Sequence, residues 1–195
     1  REVGGNLHVG HISRAETVDM IRAAKAEGLT ITCEVTPHHL IGRDSDYKVN
    51  PPLRTKRDTL ALMEGIADGT IDCLSTDHAP HTEADKAAGA AGISNIEYAM
   101  QVFLKVFSEN NIPLTRLSEM ASLAPAKRLG IRAGLLQAGY PADITILSPD
   151  EECFIKKEEM LSRSHNTPFD GWRVRGRVQT TIVEGETRYQ YGSIG

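Results

Sequence analysis

The sequence predicts an α/β fold in which a parallel sheet is followed by a β-rich segment. Apolar or β-branched stretches at 7–12, 29–36 and 71–76 indicate strands, and helical patterns separate them. Repeated strand–helix units of about 30 residues are typical of parallel sheets with right-handed crossovers. Polar side chains cluster directly after each strand, where parallel sheets place their active sites.

The bulk composition is that of an ordinary globular protein, with 40% hydrophobic and 25% charged residues. The net charge of −4 provides no electrostatic basis for binding nucleic acid or an anionic membrane. No apolar run approaches the roughly 18 residues of a membrane span. The cysteines at 33, 73 and 153 are odd in number and widely spaced, so we expect free thiols in a reducing, cytoplasmic compartment.

The first two helices carry signals at their ends. Ser13–Glu16 has the S-x-x-E form of a capping box, and Gly28 is a suitable residue to end the helix that follows. The second strand should end at Pro37. Thr55 can cap the second helix, which is expected to end at Gly69.

The third strand is followed by a polar, small-residue stretch at 81–93, which we interpret as a mobile lid. Ser94–Glu97 has the form of a second capping box and should begin a helix that runs to about Ser108. A further helix should start near Thr115, and Pro125 should open a short one that ends at Gly130.

The character of the chain changes near Gly134. A strand is expected at 143–147 and a hairpin at 174–183 and 187–191, turning around Glu184-Gly185-Glu186. This part has no regular helix signal. The sequence therefore predicts two domains, residues 1–133 and residues 134–195.

Asp77 is the strongest candidate for chemistry. It follows an apolar strand, and a carboxylate is costly to bury there unless it is paired or bound to a metal. The alternative is a turn cap that only holds the loop. His11 follows the first strand and shares the carboxyl edge with Asp77, which favours a metal ligand, although a buried histidine bonded to a neighbouring strand is equally open.

Other polar residues at this edge are weaker candidates. His8 lies three residues before His11 and so should face the opposite side of the strand. Asn50 precedes two prolines that hold the backbone extended, and it is either a ligand contact or a turn former. His81 is either an anion-binding donor or a loop anchor. His38 and His39 are interpreted as packing or supporting groups.

Eight short stretches of the sequence, five near the predicted strand ends and three later in the chain, together resemble a known family. None of them is specific by itself. In chain order they are 7–13, 34–40, 48–54, 68–72, 75–81, 124–127, 139–143 and 166–169. Together they resemble the carboxyl-terminal half of the dihydroorotases, which belong to the amidohydrolase superfamily. That resemblance implies a partial (β/α)8 barrel of TIM type, comprising its last three βα units, followed by a small β-sandwich segment. Since three strands cannot close a barrel, we expect the chain to be completed by the missing N-terminal half of the barrel.

The resemblance also implies a set of site residues. His11 and Asp77 would bind zinc, and Asp77 would also be the catalytic proton shuttle. Asn50, His81 and the Ala91–Gly92 pair would contact the substrate, although the family usually has a bulkier apolar residue than Ala91. One or two zinc ions are implied, with the remaining ligands upstream of this chain.

The activity that the resemblance implies is the reversible, zinc-dependent cyclisation of N-carbamoyl-L-aspartate to dihydroorotate in pyrimidine biosynthesis. It also implies a homo-oligomer and aspartate transcarbamoylase as a partner, while the isolated chain should be inactive. The alternatives are another cyclic amidase of the allantoinase or hydantoinase type, or a non-catalytic subunit that supports aspartate transcarbamoylase. The remaining alternative is a generic α/β domain without a functional site.

Overall fold

The computed structural model describes Glu2 and residues 4–192, which form one parallel and one antiparallel three-stranded sheet with intervening helices. The strands are β1 (Leu7–Val9), β2 (Ile31–Val35), β3 (Cys73–Leu74), β4 (Ile144–Phe154), β5 (Arg173–Val183) and β6 (Glu186–Gln190). The α-helices are α1 (Ala15–Ala26), α2 (Pro37–Ile41), α3 (Lys56–Ala67), α4 (Glu83–Ala87), α5 (Ala99–Glu109), α6 (Leu114–Ser118) and α7 (Ala124–Leu129).

The internal contacts divide the chain into two compact units. The first unit contains the chain up to Ala99 together with Lys156–Asp170, and the second contains Met100–Ile155 together with the chain from Gly171 onward. Each unit is therefore built from two separate stretches of the sequence, whereas each predicted domain, 1–133 or 134–195, is one continuous stretch. That boundary stays a prediction.

The parallel sheet of the first unit has the order β1-β2-β3, with Val9 opposite Cys33 and Val35 opposite Leu74. Cys33 and Val35 are fully buried on one face of β2. Helices α1 and α3 pack closely, because Gly65 of α3 has no side chain: a Cβ there would lie 3.0 Å from the side chain of Val18. The predicted α/β fold is confirmed.

The sequence predicts the C-terminal ends of the helices better than their N-terminal starts. Gly28 follows the end of α1 with φ 80°, and its N–H donates to Lys25 while the next N–H donates to Ala24, which is the Schellman arrangement. Gly69 ends α3 in the same left-handed conformation, with φ 85°. These two predictions are confirmed.

The capping box predicted at Ser13–Glu16 is wrong. The residue that caps α1 is Arg14, whose side chain makes no cap bond, and the Ala15 N–H donates instead to Asp58 Oδ1 at 3.0 Å. A carboxylate from another helix therefore replaces the local cap. The predicted cap at Thr55 is confirmed: Thr55 and Asp58 form a capping box at the start of α3.

The capping box predicted at Ser94–Glu97 is also wrong. Ser94 Oγ donates to Asn166 Oδ1 at 2.8 Å, and the Glu97 carboxylate accepts the backbone N–H groups of Leu161 and Ser162 at 2.7 and 2.8 Å. Both side chains thus bind the distant 156–170 segment rather than the helix start. Long-range partners of this kind leave no local sequence signal.

Two short helices occur where no helix is predicted. Pro37 ends β2 as expected but also opens α2, with Thr36 accepting the His39 N–H as the helix cap. The predicted lid at 81–93 contains α4, which begins with a capping box formed by Thr82 and Asp85. The lid segment is therefore partly helical rather than wholly irregular.

In the second unit, α6 and α7 are joined by a π-helical turn at Glu119–Leu123, and Gly130 ends the run in a left-handed conformation. The antiparallel sheet has the order β4-β5-β6. The predicted hairpin is confirmed, with Glu184 and Gly185 both at positive φ in its turn. Strand β4 extends to Phe154, well beyond the predicted end at Leu147. Within the described residues, no helix combines the length and apolar character needed to span a bilayer.

Candidate active site

His11 and Asp77 lie just beyond the carboxyl ends of β1 and β3 and share an unusual backbone conformation. Their φ angles are 35° and 48°, in the left-handed region that residues with a side chain seldom adopt. Such conformations cost about 1–3 kcal/mol and persist where the surrounding structure enforces them, most often at functional sites. Their occurrence at both predicted site residues indicates a site at this edge of the sheet.

Asp77 and His11 interact electrostatically. Partial burial raises the pKa of the Asp77 carboxyl, and the nearby Glu34 carboxylate raises it further, while His11 acts in the opposite direction. Asp77 therefore holds its negative charge less readily than a solvated aspartate does. A cation at this position would restore the charge.

His11 has an imidazole nitrogen that is free to bind a ligand. Its Nδ1 is buried and has no hydrogen-bond partner among the described residues. An imidazole nitrogen and a carboxylate are both zinc ligands, so the donor chemistry of His11 and Asp77 fits a metal ion. Among the described residues, no group of three or more histidine, cysteine, aspartate or glutamate side chains is arranged to hold a metal ion. A metal ion held by this pair would therefore need further ligands.

His8 points its ring to a different set of partners. Its Nδ1 bonds to Thr32 Oγ1 at 2.8 Å, and its Nε2 lies 3.3 Å from Glu34 Oε2. Both nitrogens are therefore engaged on β2. His8 is a supporting residue of Glu34 in this arrangement rather than a free ligand.

His38 and His39 are buried, and both interact electrostatically with His11. Burial lowers the pKa of His38 to about 2 and that of His39 to about 4, and the His11 ring lowers both further. Both rings are thus neutral at neutral pH. His39 Nε2 donates to the Pro51 carbonyl at 2.9 Å, so its Nδ1 accepts from Thr36 Oγ1 at 2.7 Å.

The bond to Pro51 anchors the loop that carries Asn50. The Asn50 side chain is exposed, and the peptide bond between Asn50 and Pro51 is cis. Two residues earlier in this loop, the Lys48 carbonyl accepts the Gly92 N–H at 3.0 Å. The Asn50 loop is therefore connected both to α2 and to the segment that holds Ala91 and Gly92.

His81, Ala91 and Gly92 form one close group. His81 Nε2 donates to the Ala91 carbonyl at 3.0 Å. A Cβ on Gly92 would lie 2.5 Å from the Ala79 carbonyl oxygen and 2.6 Å from the His81 ring. Only glycine fits there without displacing the imidazole.

Lys86 of α4 ties this group to the Asn50 loop. Its ammonium donates to the carbonyl oxygens of Lys48, Ala90 and Gly92 at 2.9–3.0 Å. It also lies 4.2 Å from the centre of the Tyr47 ring. Burial, with the charge of Lys48, lowers the pKa of Lys86.

Asn166 also connects segments around His81 through its side-chain amide. Its Oδ1 accepts the His81 N–H at 3.2 Å and the Ser94 hydroxyl at 2.8 Å, while its Nδ2 donates to the Gly92 carbonyl at 3.3 Å. The side chain is 7% exposed. One amide thus links the His81 segment and the 92–94 segment to its own.

The structure consequently brings the predicted residues together in two groups. His11 and Asp77 form one, and His81, Ala91 and Gly92 form the other, with the Asn50 loop bonded to the second. Sequence reasoning missed Lys86, Asn95 and Asn166. The Thr82-x-x-Asp85 capping pattern was a signal for the helix that carries Lys86. The bonds of Asn95 to Thr76 and of Asn166 to His81 and Gly92 are long-range and leave no local signal.

Comparison with known proteins identifies the family. The amidohydrolase family model matches residues 2–188. Dihydroorotases from Lactiplantibacillus plantarum and Caldanaerobacter subterraneus subsp. tengcongensis are each 44% identical, over 95% and 97% of this chain. The solved L-hydantoinase (dihydropyrimidinase) from Arthrobacter aurescens is 30% identical, covers 99% of this chain and superposes with a TM-score of 0.92.

The chain spans about half the length of these proteins: 46% and 47% of the two curated relatives and 47% of the solved hydantoinase. The residues that the family model covers include every candidate site residue, all of the parallel sheet and all but the last two residues of the antiparallel one. The match is therefore not confined to one motif. On this evidence the chain belongs to the amidohydrolase family.

Proposed function

We propose that the protein to which this chain belongs is a dihydroorotase, which interconverts N-carbamoyl-L-aspartate and dihydroorotate. The observation that carries the proposal is the 44% identity to curated dihydroorotases over 95–97% of the chain. The solved hydantoinase is less similar in sequence, at 30%. The paired conformations of His11 and Asp77 add support from the site itself.

The proposed architecture is the last part of a (β/α)8 barrel followed by a β-sandwich segment. The parallel order β1-β2-β3 and the antiparallel order β4-β5-β6 are consistent with those two parts. In the complete protein, the preceding chain would supply the other barrel strands and the remaining metal ligands.

In this proposal His11 and Asp77 hold zinc. Zinc supplies Lewis-acid polarisation of the substrate carbonyl and acidifies a water molecule. The Asp77 carboxylate accepts the proton of the attacking water and delivers it to the ring nitrogen that leaves. Its raised pKa suits both halves of that transfer, because a group that accepts and then donates works best when neither state is strongly favoured.

The second group of residues would hold the substrate. The Asn50 amide can bond the ring, and the Ala91–Gly92 backbone lies beside His81. His81 can donate to the substrate carboxylate once Nε2 exchanges the Ala91 carbonyl for it. The Lys86 and Asn166 ties keep this group in one arrangement.

The first test is Asp77→Asn in the complete protein. Turnover of dihydroorotate should fall by a factor of about 100 or more, because an amide cannot accept the proton, while the fold should be retained. Steady-state rates in both directions measure the loss, and circular dichroism checks the fold.

Asp46→Asn is the matched control, since Asp46 is an exposed aspartate outside the site. It should leave turnover unchanged. Near wild-type turnover in Asp77→Asn would contradict the proton-transfer role of Asp77. A complete wild-type protein that binds zinc but turns over neither substrate would contradict the proposed function as a whole.

A second candidate function is hydrolysis of hydantoins or dihydropyrimidines, which the names of the solved structures suggest. A substrate panel separates the two. We expect dihydroorotate to be preferred over dihydrouracil and hydantoin, because His81 and Asn50 offer polar contacts to a carboxylate that those substrates lack. A preference for hydantoin would favour the second candidate.

The proposed setting is a cytoplasmic homo-oligomer that associates with aspartate transcarbamoylase. None of the three cysteines, all within the described residues, forms a disulfide, which fits a reducing compartment. Size measurement of the complete protein, alone and mixed with aspartate transcarbamoylase, tests both associations. A complete wild-type protein that binds aspartate transcarbamoylase but turns over neither substrate would favour the supporting-subunit alternative.

A further inference from the structure

Asp77 is held on both sides by one residue that the proposed chemistry does not use. Asn95 is fully buried, and its side-chain Nδ2 donates to the carbonyl of Thr76 at 2.7 Å. Its backbone N–H donates to Nδ1 of His78 at 3.1 Å. Asn95 thus contacts the residue before Asp77 and the residue after it.

The orientation of the Asn95 amide follows from its partners. The Thr76 carbonyl can only accept, so the atom facing it is the nitrogen. The same Nδ2 also donates to His38 Nδ1 at 3.1 Å. Both amide hydrogens are therefore used, one on the backbone of the strand end and one on a buried ring.

His78 completes the arrangement. Its Nδ1 accepts two backbone N–H groups, from Asn95 at 3.1 Å and from Ile96 at 3.3 Å. The His78 N–H in turn donates to Thr76 Oγ1 at 3.3 Å. The Thr76 carbonyl and the His78 imidazole, on either side of Asp77, are consequently bonded to the 95–96 segment.

We propose that Asn95 and His78 are positioning residues that hold Asp77 in its left-handed conformation. An aspartate at φ 48° lies in a sparsely populated region, and it stays there only where its neighbours are fixed independently. The bonds at Thr76 and His78 supply that fixation from both sides. The inference rests on the proposed role of Asp77, because holding its backbone sets the direction in which the carboxylate points.

The test uses His78→Ala and Asn95→Ala in the complete protein. Each removes one side of the clamp, and Asp77 should relax to a negative φ in crystal structures of the variants. For dihydroorotate, kcat should fall by about 10- to 100-fold while KM changes by less than about threefold, because the substrate contacts at Asn50 and His81 are untouched. Bound zinc per protein, measured by metal analysis, should fall with the displacement of Asp77.

His78→Asn is the conservative variant. An asparagine Oδ1 can occupy the place of the histidine Nδ1 and accept the same two N–H groups, so φ at Asp77 and kcat should return toward wild type. Tyr98→Phe is the matched control, since it removes another hydrogen bond of this unit, from Tyr98 Oη to Thr167 Oγ1 at 2.7 Å, away from Asp77. It should lower stability without changing kcat.

An Asp77 that keeps its left-handed φ in both alanine variants would overturn the proposal, whatever their activity. A tenfold loss of kcat in His78→Asn with Asp77 unmoved would overturn it as well. If an alanine variant does not fold, Asn95→Ser, which retains one donor at shorter reach, is examined by the same two readouts. A wild-type protein without dihydroorotase activity defeats the proposed function alone, because the conformation of Asp77 and the zinc content remain measurable.

Discussion

At the scale of single residues, the candidate site depends on backbone conformations and close approaches that only certain side chains permit. Asp77 and His11 adopt positive φ although each carries a Cβ, so their surroundings must offset the strain. Gly92 is the opposite case: its lack of a side chain lets the chain pass within contact distance of the His81 ring. The backbone is therefore strained at Asp77 and His11, whereas glycine avoids a steric clash at position 92.

Gly92→Ala should therefore displace His81. The added Cβ would lie 2.6 Å from the ring and 2.5 Å from the Ala79 carbonyl, and one of these groups is backbone that cannot move freely. We expect KM for dihydroorotate to rise by about tenfold, because His81 is the proposed substrate contact. Steady-state kinetics of the complete protein measure the change.

Gly10→Ala is the matched control for this substitution. A Cβ at Gly10 meets only Glu34 Oε1, at an ordinary contact distance of 3.7 Å. It should leave KM within about twofold of wild type. An unchanged KM in Gly92→Ala would show that His81 does not need its observed position to bind the substrate.

At the scale of elements, Asp58 connects two helix starts. Its carboxylate accepts from the Thr55 N–H and hydroxyl at 3.1 and 2.6 Å, and from the Ala15 N–H of α1 at 3.0 Å. Burial acts to raise the pKa of Asp58, but these bonds outweigh it, and the pKa is lowered. One carboxylate thus caps α3 and satisfies a donor at the start of α1.

Asp58→Asn should lower the free energy of unfolding by about 1–2 kcal/mol at pH 7, since an amide keeps one acceptor but loses the charge. A lowered folded-state pKa contributes stability that is present above the unfolded value and lost as pH falls through the folded value. The deficit of the variant should therefore shrink below about pH 4. Urea unfolding at pH 7 and at lower pH measures both, with Asp46→Asn as the exposed control.

At the scale of the whole molecule, the buried pair His38 and His39 makes stability depend on pH. Their folded-state pKa values of about 2 and about 4 lie below the ordinary 6.5 of histidine, mainly because of burial. Below pH 6.5 these two histidines bind protons in the unfolded chain but stay neutral in the folded chain until the pH approaches their lowered pKa values. Each ring therefore removes up to about 1.4 kcal/mol of stability per pH unit as the solution is acidified.

His39→Gln tests this origin of acid sensitivity. Between pH 6.5 and 4.5, the free energy of unfolding of the variant should fall less steeply than that of wild type, by about 1 kcal/mol per pH unit. The absolute stability at pH 7 can be lower, because the bonds to Thr36 and Pro51 change. His165→Gln, at an exposed histidine, should keep the wild-type slope, and an equal slope in all three proteins would refute the assignment.

Local physics explains which parts of the fold were predictable. The strand–helix alternation, the glycine ends at Gly28 and Gly69 and the hairpin turn at Glu184-Gly185 depend on periodicity and on backbone freedom, both of which are readable over a few residues. The two capping boxes that were wrong, at Ser13–Glu16 and Ser94–Glu97, have the correct local pattern. Their side chains or N–H groups found partners more than 40 residues away instead.

The sequence by itself determined the α/β class, the order of the strands and longer helices, and the placement of His11 and Asp77 after strands. Those features follow from hydrophobic periodicity and from the common direction of parallel strands. Only the tertiary structure decided that Asp77 is held by Asn95 and His78, and that Lys86 and Asn166 bind the segment around His81. The physical reason is that buried amides and ammonium groups take whichever backbone carbonyls the packing brings near, and those partners are distant in sequence.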